Sequence, residues 1–322
     1  MAIAGTAEVG ISSIEEARER IAPYVKRTPL EFSRSLSEHL GTNVYVKYEL
    51  FQKTGSFKPR GAFNKMLSLD DEQKANGVVA VSGGNHAQGV AYAARVLGVD
   101  AVILMPENTP KSYLEATRGY GATIDLKPTI AEAFAEIERY EKEGRTLVHP
   151  FDDPLVIAGQ GTVGLEILED CPQVTDVITS IGGGGLASGV AIAVKSRNPD
   201  VKVWGVETKG ADAMSQAIAA GQPVTLPAIT SIAKTLGAPA VTERTLKLVM
   251  ENLNSITVVT DEEAVKALDF IAGRLKVVPE PASSCNLAAA EKFKSSFTPD
   301  SHVVIILCGG NVSIADICGY PR

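Results

Sequence analysis

Lys58 is the first residue whose setting suggests chemistry. It lies in "KTGSFKPRGA" (53–62), between Phe57 and Pro59. A lysine amine attacks carbonyl groups only when it is neutral, and burial lowers the pKa of a lysine by several units. The two neighbours could stiffen and desolvate the side chain, which favours a nucleophile. A phosphate-binding lysine and a surface lysine whose charge stays in water are the alternatives at this point.

Four glycines at 182–185 suggest an anion site. They follow a strand-like segment, "DVITSI" (176–181), and open a helix-like one within "GGGGLASGV" (182–190). Glycines let the backbone approach a ligand, and the first N–H groups of a helix lack internal partners. The segment has neither the Lys-Ser/Thr of a P-loop nor the spacing of GxGxxG. We predict a phosphate site, with a tight turn as the alternative.

A second glycine turn, "GGNHAQG" (83–89), follows another strand-like segment. Ser82, Asn85 and His86 surround its glycines and add side-chain donors to those of the backbone. A carboxylate would suit this turn, although a simple Asn/Ser helix cap explains it equally well. An amine, a phosphate cradle and a second anion site together fit pyridoxal phosphate and an amino-acid substrate.

The elements that must position these residues alternate between strand-like and helix-like segments. This alternation predicts an α/β fold with doubly wound parallel sheets, which bind ligands at the carboxyl ends of their strands. We predict a large domain from residues 1–74 and 151–322 and a small domain from residues 75–150. The predicted strands are rich in Val and Ile: 43–49, 77–82, 100–106, 122–127, 146–150, 176–181, 201–207, 255–260 and 302–308.

Three predicted helices carry recognisable signals. Residues 87–98 end at Gly98, where a left-handed cap fits. Residues 130–144 have apolar residues at helical spacing and also end in glycine. Thr260 and Glu263 form the pattern of a capping box that begins a further helix.

Composition argues against several classes of protein. The 322 residues carry a net charge of −7, which does not suit a nucleic-acid-binding surface. Four cysteines and four histidines show no metal-ligand spacing, so we predict no metal site. No apolar stretch reaches membrane-spanning length, and the amino terminus lacks a signal pattern. We therefore expect a cytoplasmic protein without membrane or nucleic-acid partners.

Six motifs, in order over about residues 24–311, resemble those of the serine/threonine dehydratases. These are fold-type II pyridoxal-phosphate enzymes, and serine racemase is a relative. The resemblance implies an ammonia-lyase that converts a β-hydroxy-α-amino acid to a 2-oxo acid and ammonia by α,β-elimination. It also implies a homo-oligomer, either a dimer or a tetramer. The motifs are "GSFKPRGA", "SGGNHAQG", "HPFDDP", "GQGT", "GGGGL" and "CGGN".

The resemblance also implies roles for the matching residues. Lys58 would form the internal Schiff base and shuttle the α-proton. The substrate carboxylate would bind to Ser82, itself a catalytic candidate, and to Gly83, Asn85 and His86. Cys308 replaces the family's usual Ser or Thr beside the pyridine nitrogen, and such a neutral partner favours loss of a β-leaving group over transamination. The other cofactor-binding residues would be Phe57 at the ring, Asn85 at the phenolic oxygen, Glu280, and Gly182, Gly183, Gly184, Gly185 and Leu186 at the phosphate.

Three departures from the family pattern bear on function. Gly83 stands where serine racemase has a proton-carrying serine, so racemisation should be minor or absent. Glu207 matches one ligand of the racemases' divalent ion, but Ala213 stands where the other would align, which leaves a monovalent ion as the alternative. The segments 233–237 ("AKTLG") and 280–284 ("EPASS") differ from the family's wording on the substrate side. Phenylserine or hydroxyaspartate is therefore an alternative to threonine or serine.

Other functions are weighed against this one. An amino-acid racemase or a β-replacement synthase would share the fold. A nicotinamide-dependent oxidoreductase would require GxGxxG spacing, which "GGGGLASG" lacks. A non-catalytic binder would not need Lys58.

Overall fold

The computed structural model describes residues 8–321, in which two sheets are covered by helices. The strands are β1 (Leu30–Phe32), β2 (Asn43–Lys47), β3 (Val78–Val81), β4 (Ala101–Pro106), β5 (Thr123–Lys127), β6 (Thr146–Leu147), β7 (Asp176–Ser180), β8 (Lys202–Thr208), β9 (Ser255–Val259) and β10 (His302–Ile306). The helices are α1 (Ile11–Ile21), α2 (Arg34–Leu40), α3 (Lys58–Leu67), α4 (Asp71–Asn76), α5 (Asn85–Leu97), α6 (Lys111–Gly119), α7 (Ile130–Ala135), α8 (Ile137–Lys142), α9 (Pro154–Asp170), α10 (Gly185–Arg197), α11 (Ala213–Ala220), α12 (Glu243–Asn252), α13 (Asp261–Leu275), α14 (Pro281–Phe293) and α15 (Ile314–Cys318).

The two sheets confirm the predicted parallel α/β architecture. The large sheet has the strand order β1-β2-β10-β7-β8-β9, and β1 alone among its described strands runs antiparallel to its neighbour. The small sheet has the order β5-β4-β3-β6 and is parallel throughout. Every residue of β3 and β7 is buried, as expected where helices cover both faces of a sheet.

Helix α9 brings the two chemically important helices together, because it packs against both α3 and α10. Its glycines allow this close approach. A Cβ atom on Gly159 would stand 2.6 Å from the carbonyl oxygen of Arg60 in α3, and one on Gly161 would stand 2.9 Å from that of Gly189 in α10. The "GQGT" motif is therefore a helix-packing device in this structure.

The core under the small sheet draws on both predicted domain segments. Phe63 and Met66 of α3 and Val156 of α9 pack with residues of β3, β4 and α5. The predicted domain limits near residues 75 and 150 accordingly stay a prediction. None of the helices within residues 8–321 combines the length and apolar character needed to cross a membrane.

Most local predictions are confirmed. Helix α5 ends at Gly98, which has φ +68°, and the Thr260 capping box begins α13. The single helix predicted over 130–144 is wrong, because the chain turns more tightly at Glu136 and separates α7 from α8, although their apolar stripe continues across the break. Strand β1 was not predicted, since its three residues at a sheet edge are half-buried or exposed and carry no apolar run.

Candidate active site

The predicted site residues meet at the carboxyl ends of β3, β7 and β10. Two adjacent cavities lie there and share the side chains of Lys58, Asn85, Phe151 and Thr235. The inner cavity contains the glycines that follow β7, together with Glu280. The outer cavity, of about 320 Å³, contains the turn that follows β3. Lys58 thus lies where the two predicted anion sites adjoin.

Lys58 is the first residue of α3, and Pro59 follows it at a position where a helix tolerates proline. Its Nζ donates a 2.7 Å hydrogen bond to the carbonyl oxygen of Pro150 and lies 5.1 Å from the centroid of the Phe57 ring. Burial lowers the pKa of Lys58 to about 8, while Cys308 and Glu280 oppose the shift. The amine is therefore far closer to its neutral form at physiological pH than an ordinary lysine.

A buried ion cluster fixes the helix that carries Lys58. Arg60 is 1% exposed and binds Glu49 with two hydrogen bonds of 2.8 Å and Glu166 at 2.7 and 2.9 Å. Lys47 of β2 donates to Glu166 of α9 at 2.6 Å. Two cations and two carboxylates balance in charge, so the cluster ties α3 to β2 and α9 without a net buried charge.

A strained turn precedes Lys58. Thr54 has φ +64°, a left-handed conformation that a β-branched residue rarely adopts, and Gly55 follows with φ +72°. Asn311 holds the turn, since its Nδ2 donates to the carbonyl oxygen of Thr54 and to Asn85 Oδ1, each at 2.8 Å. The Tyr113 hydroxyl of α6 donates to the Asn311 carbonyl. Asn311 therefore connects the turn, α5 and the small-sheet side of the cleft.

The glycine loop after β7 presents free backbone donors. Among residues 8–321, no acceptor binds the N–H groups of residues 182–187. A Cβ atom on Gly183 would lie 2.1 Å from the ring of Phe151, and Gly184 adopts φ +97°. Only glycine fits at these two positions, and the loop opens the 13-residue helix α10. The predicted tight turn and the predicted anion cradle are thus the same structure.

Cys308 lies at the opposite end of the inner cavity. Its Sγ is 3.4 Å from Ser180 Oγ and 3.3 Å from Ser283 Oγ, and the Phe57 N–H donates to its carbonyl oxygen at 3.0 Å. Burial raises the pKa of the Cys308 thiol to about 12, so the group stays neutral. Any ligand atom at this end meets neutral hydroxyl and thiol groups.

Glu280 organises the side of the cavity near Asn85. Its Oε1 accepts hydrogen bonds of 2.8 Å from Asn85 Nδ2 and from Thr235 Oγ1. Its Oε2 is buried and has no partner within the described chain. Burial raises the pKa of Glu280 to about 7, although hydrogen bonds from Thr235 and Asn85 oppose this. Asn85 keeps one amide hydrogen for a ligand.

The turn after β3 forms the floor of the outer cavity. Ser82 Oγ accepts from the Gly84 N–H at 3.0 Å, which leaves the hydroxyl proton of Ser82 available. His86 Nε2 bonds the Val148 carbonyl at 2.7 Å, and burial lowers the pKa of His86 well below its ordinary value. A Cβ atom on Gly83 would lie 2.7 Å from Thr109 Oγ1, so the position is built for glycine.

The structure tests whether pyridoxal phosphate fits these residues. The unsatisfied N–H groups after β7 suit a phosphate, the depressed pKa of Lys58 suits condensation with an aldehyde, and the neutral group around Cys308 suits a pyridine nitrogen. The free oxygen of Glu280 and the free amide hydrogen of Asn85 supply further polar atoms. The residues fit the cofactor.

Sequence reasoning missed several residues of the site, although the quoted motifs contained most of them. Pro150 and Phe151 belong to "HPFDDP", Thr235 to "AKTLG" and Asn311 to "CGGN". Their roles depend on a carbonyl, a ring face or a side-chain bond made to residues distant in the chain. Such pairings are not visible in a single sequence.

Glu207 does not belong to a metal cluster. Its carboxylate accepts from the N–H groups of Met214 and Ser215 and from the Ser215 hydroxyl, and so caps α11. Within residues 8–321 there is no group of three His, Cys, Asp or Glu side chains suited to a metal ion.

This geometry is that of a cofactor-dependent enzyme with an amine between two anion sites. Residues 21–309 match the model of the family described as "Pyridoxal-phosphate dependent enzyme", and the chain belongs to that family. The predicted family, fold and cofactor class are confirmed.

Named relatives fall in the predicted branch of the family. The chain is 41% identical to an L-threonine ammonia-lyase of Thermotoga maritima, over 95% of this chain and 76% of the relative. It is also 41% identical to a catabolic L-threonine dehydratase of Staphylococcus aureus, over 97% and 91% of the two chains. Among solved structures, maize serine racemase superposes with a TM-score of 0.92 at 41% identity, covering 97% of this chain and 96% of that one. A threonine deaminase from the organism abbreviated T.th. gives a TM-score of 0.88 at 40% identity, covering 95% and 99%.

Proposed function

We propose that this protein is a pyridoxal-phosphate-dependent dehydratase, an ammonia-lyase for β-hydroxy-α-amino acids. The observation that carries the proposal is the amine of Lys58, whose pKa is lowered to about 8 and which lines both cavities. The relatives named threonine ammonia-lyase and threonine dehydratase support the same reaction.

The inner cavity would hold the cofactor. Lys58 would bind its aldehyde carbon, Phe57 would pack at the ring, and Cys308 would lie at the pyridine nitrogen. Asn85 and Glu280 would hold the polar edge of the ring. When bound, pyridoxal phosphate supplies an electron sink that acidifies the α-proton of an amino acid. Its phosphate would be bound by the backbone N–H groups of Gly182, Gly183, Gly184, Gly185 and Leu186.

The outer cavity would hold the substrate. Its carboxylate would accept from the free N–H groups at the start of α5 and from Ser82, with Gly83, Asn85 and His86 around it. His86 remains neutral, so it adds no charge to the subsite. Lys58 Nζ would remove the α-proton from its position between the two cavities.

The reaction balances without an oxidant or a reductant. The α-proton leaves to Lys58, the C–O bond to the β-hydroxyl breaks, and the hydroxyl departs as water. Water then hydrolyses the released imine, so the net products are a 2-oxo acid and ammonium. The neutral environment of Cys308 keeps a proton off the ring nitrogen, which favours this prompt elimination.

Racemisation is the weaker alternative. It needs a proton carrier on the opposite face of the substrate, and Gly83 has none. A serine there would collide with Thr109 Oγ1, since even a Cβ atom would lie 2.7 Å away. Serine incubated with the enzyme should therefore keep its configuration while it is deaminated, and chiral chromatography of the unreacted serine measures this.

The decisive experiment is a panel of serine, threonine, phenylserine and hydroxyaspartate, scored for 2-oxo acid and ammonia. Lys58→Ala should abolish turnover and the visible absorbance of the bound cofactor. Lys142→Ala, at a side chain that is 72% exposed, is the matched control and should retain both. Normal turnover by Lys58→Ala would refute the proposal.

A monovalent cation, a homo-oligomeric dimer or tetramer, and a cytoplasmic location stay predictions of the sequence. Removing monovalent ions by dialysis should lower activity if the first holds. Analytical ultracentrifugation of the loaded enzyme decides the second.

A further inference from the structure

The outer cavity has an apolar wall that the proposed chemistry does not use. Pro106 ends β4, Ile130 and Phe134 lie on α7, and Ile229 and Pro239 lie in the segment 221–242 between α11 and α12. All five are only half-buried. They come from both sides of the cleft, so a ligand held at Ser82 and Lys58 would have apolar surface on two sides.

The charges of this cavity are equally selective. No aspartate or glutamate lines it within the described chain, and Lys234 is its one cation besides Lys58. Lys234 is exposed, with neither an ion pair nor a hydrogen bond from its ammonium to any described residue. A positively charged substrate side chain would therefore find no partner, and an apolar one would cover the half-buried wall.

We propose that this wall is a subsite for a bulky apolar β-substituent and that the preferred substrate is a β-aryl-β-hydroxy-α-amino acid, such as phenylserine. The inference rests on the proposed function and deepens it. The methyl group of threonine would leave most of the wall in contact with water, whereas an aryl ring would bury it. A hydrophobic pocket discriminates by about 10- to 200-fold for each missing methylene-sized group.

A dicarboxylate substrate is the competing possibility, because Lys234 could pair with a second carboxylate. Its ammonium is solvated, and exposed pairs contribute little. A carboxylate against Phe134 and Ile130 would also lose hydration without a buried partner. The observations therefore favour the aryl group, and hydroxyaspartate becomes an arm of the test.

The experiment compares kcat/KM for phenylserine, threonine and hydroxyaspartate on the loaded enzyme. Phenylserine should exceed each of the others at least tenfold. Ala238→Leu narrows the cavity that Ala238 lines and should lower kcat/KM at least tenfold for phenylserine but less than threefold for threonine. Ala228→Leu, at an exposed position of the same segment, is the matched control and should change neither.

A threonine or hydroxyaspartate preference, or an equal effect of Ala238→Leu on both substrates, overturns the inference and leaves the proposed function standing. Absence of turnover with every substrate overturns the proposed function as well. Binding measured from the cofactor absorbance supplies a readout without turnover: phenylserine should perturb the spectrum at lower concentration than threonine, and the reverse order also overturns the inference. Thermal melting of Ala238→Leu establishes that it is folded.

Discussion

Single residues of this site are tuned by burial more than by charge. Burial lowers the pKa of Lys58 to about 8 and raises that of Cys308 to about 12, so both side chains favour their neutral forms. The sequence indicated the lysine, because an aromatic residue and a proline flank it. It could not indicate Pro150, whose carbonyl oxygen orients the amine from a loop distant in the chain.

The pKa of Lys58 predicts how pH governs uptake of the cofactor. Only the neutral amine condenses with an aldehyde, so the uptake rate of the cofactor-free protein should rise about tenfold per pH unit below pH 8 and level off above it. Stopped-flow absorbance of pyridoxal phosphate mixed with the protein measures this rate. A rate that does not change between pH 6 and 8 would contradict the assignment of this pKa.

Gly183 allows a sharp test of the anion cradle. In Gly183→Ala the added methyl would overlap the ring of Phe151, so the loop or the ring must move and the Kd for pyridoxal phosphate should rise at least tenfold. Gly273→Ala in α13 is the control, because open space surrounds that position. It should leave the Kd unchanged and stabilise the fold by about 0.5–1 kcal/mol. Fluorescence titration and thermal melting give both numbers.

At the scale of elements, a strained turn determines where α3 begins. The left-handed conformation of Thr54 persists because Asn311 binds its carbonyl oxygen and a backbone bond of 2.9 Å joins the Gly310 N–H to the Gly55 carbonyl. The turn therefore stores its conformation in contacts with the last motif of the chain, "CGGN".

Removal of the Asn311 side chain should release this turn. In Asn311→Ala the amine of Lys58 and the amide of Asn85 lose their shared support, and kcat should fall about 100-fold, as expected for a shift of about 1 Å. KM should change much less, since the carboxylate-binding turn after β3 stays in place. Asn311→Asp keeps the size but loses both donated hydrogen bonds, so it should resemble Asn311→Ala. A kcat within threefold of the parent for either variant would disprove this role.

Elements with strong patterns were predictable, and those defined by tertiary contact were not. All nine predicted strands form, because their apolar runs match burial on both faces. The break at Glu136 has no proline or glycine to signal it, and β1 has only three residues. The packing of α9 between α3 and α10 was also hidden, since its glycines look like ordinary turn formers in the sequence.

At the scale of the whole molecule, buried carboxyls make stability depend on pH. Glu280 has a pKa of about 7 when folded and about 4.5 when unfolded, so the folded protein retains a proton that the unfolded chain has released. The free energy of unfolding should therefore fall as pH rises through this window, by on the order of 3 kcal/mol for one such group. Glu207 acts in the same direction, with a pKa raised to about 7 by burial.

Urea unfolding of the cofactor-free protein between pH 5 and 8 measures this dependence. The fall should be smaller in Glu280→Gln, which cannot titrate. An identical pH profile for the variant and the parent protein would rule out Glu280 as a source.

The position of β10 in the middle of the large sheet has a consequence for biosynthesis. Phe57 and Cys308, which it joins, leave the ribosome roughly 10 to 50 seconds apart at ordinary elongation rates. Until then β2 and β7 have no strand between them, and the nascent polypeptide exposes two unpaired edges. Capture of the vitamin-derived cofactor must therefore follow translation, and shielding by chaperones would matter most during that interval.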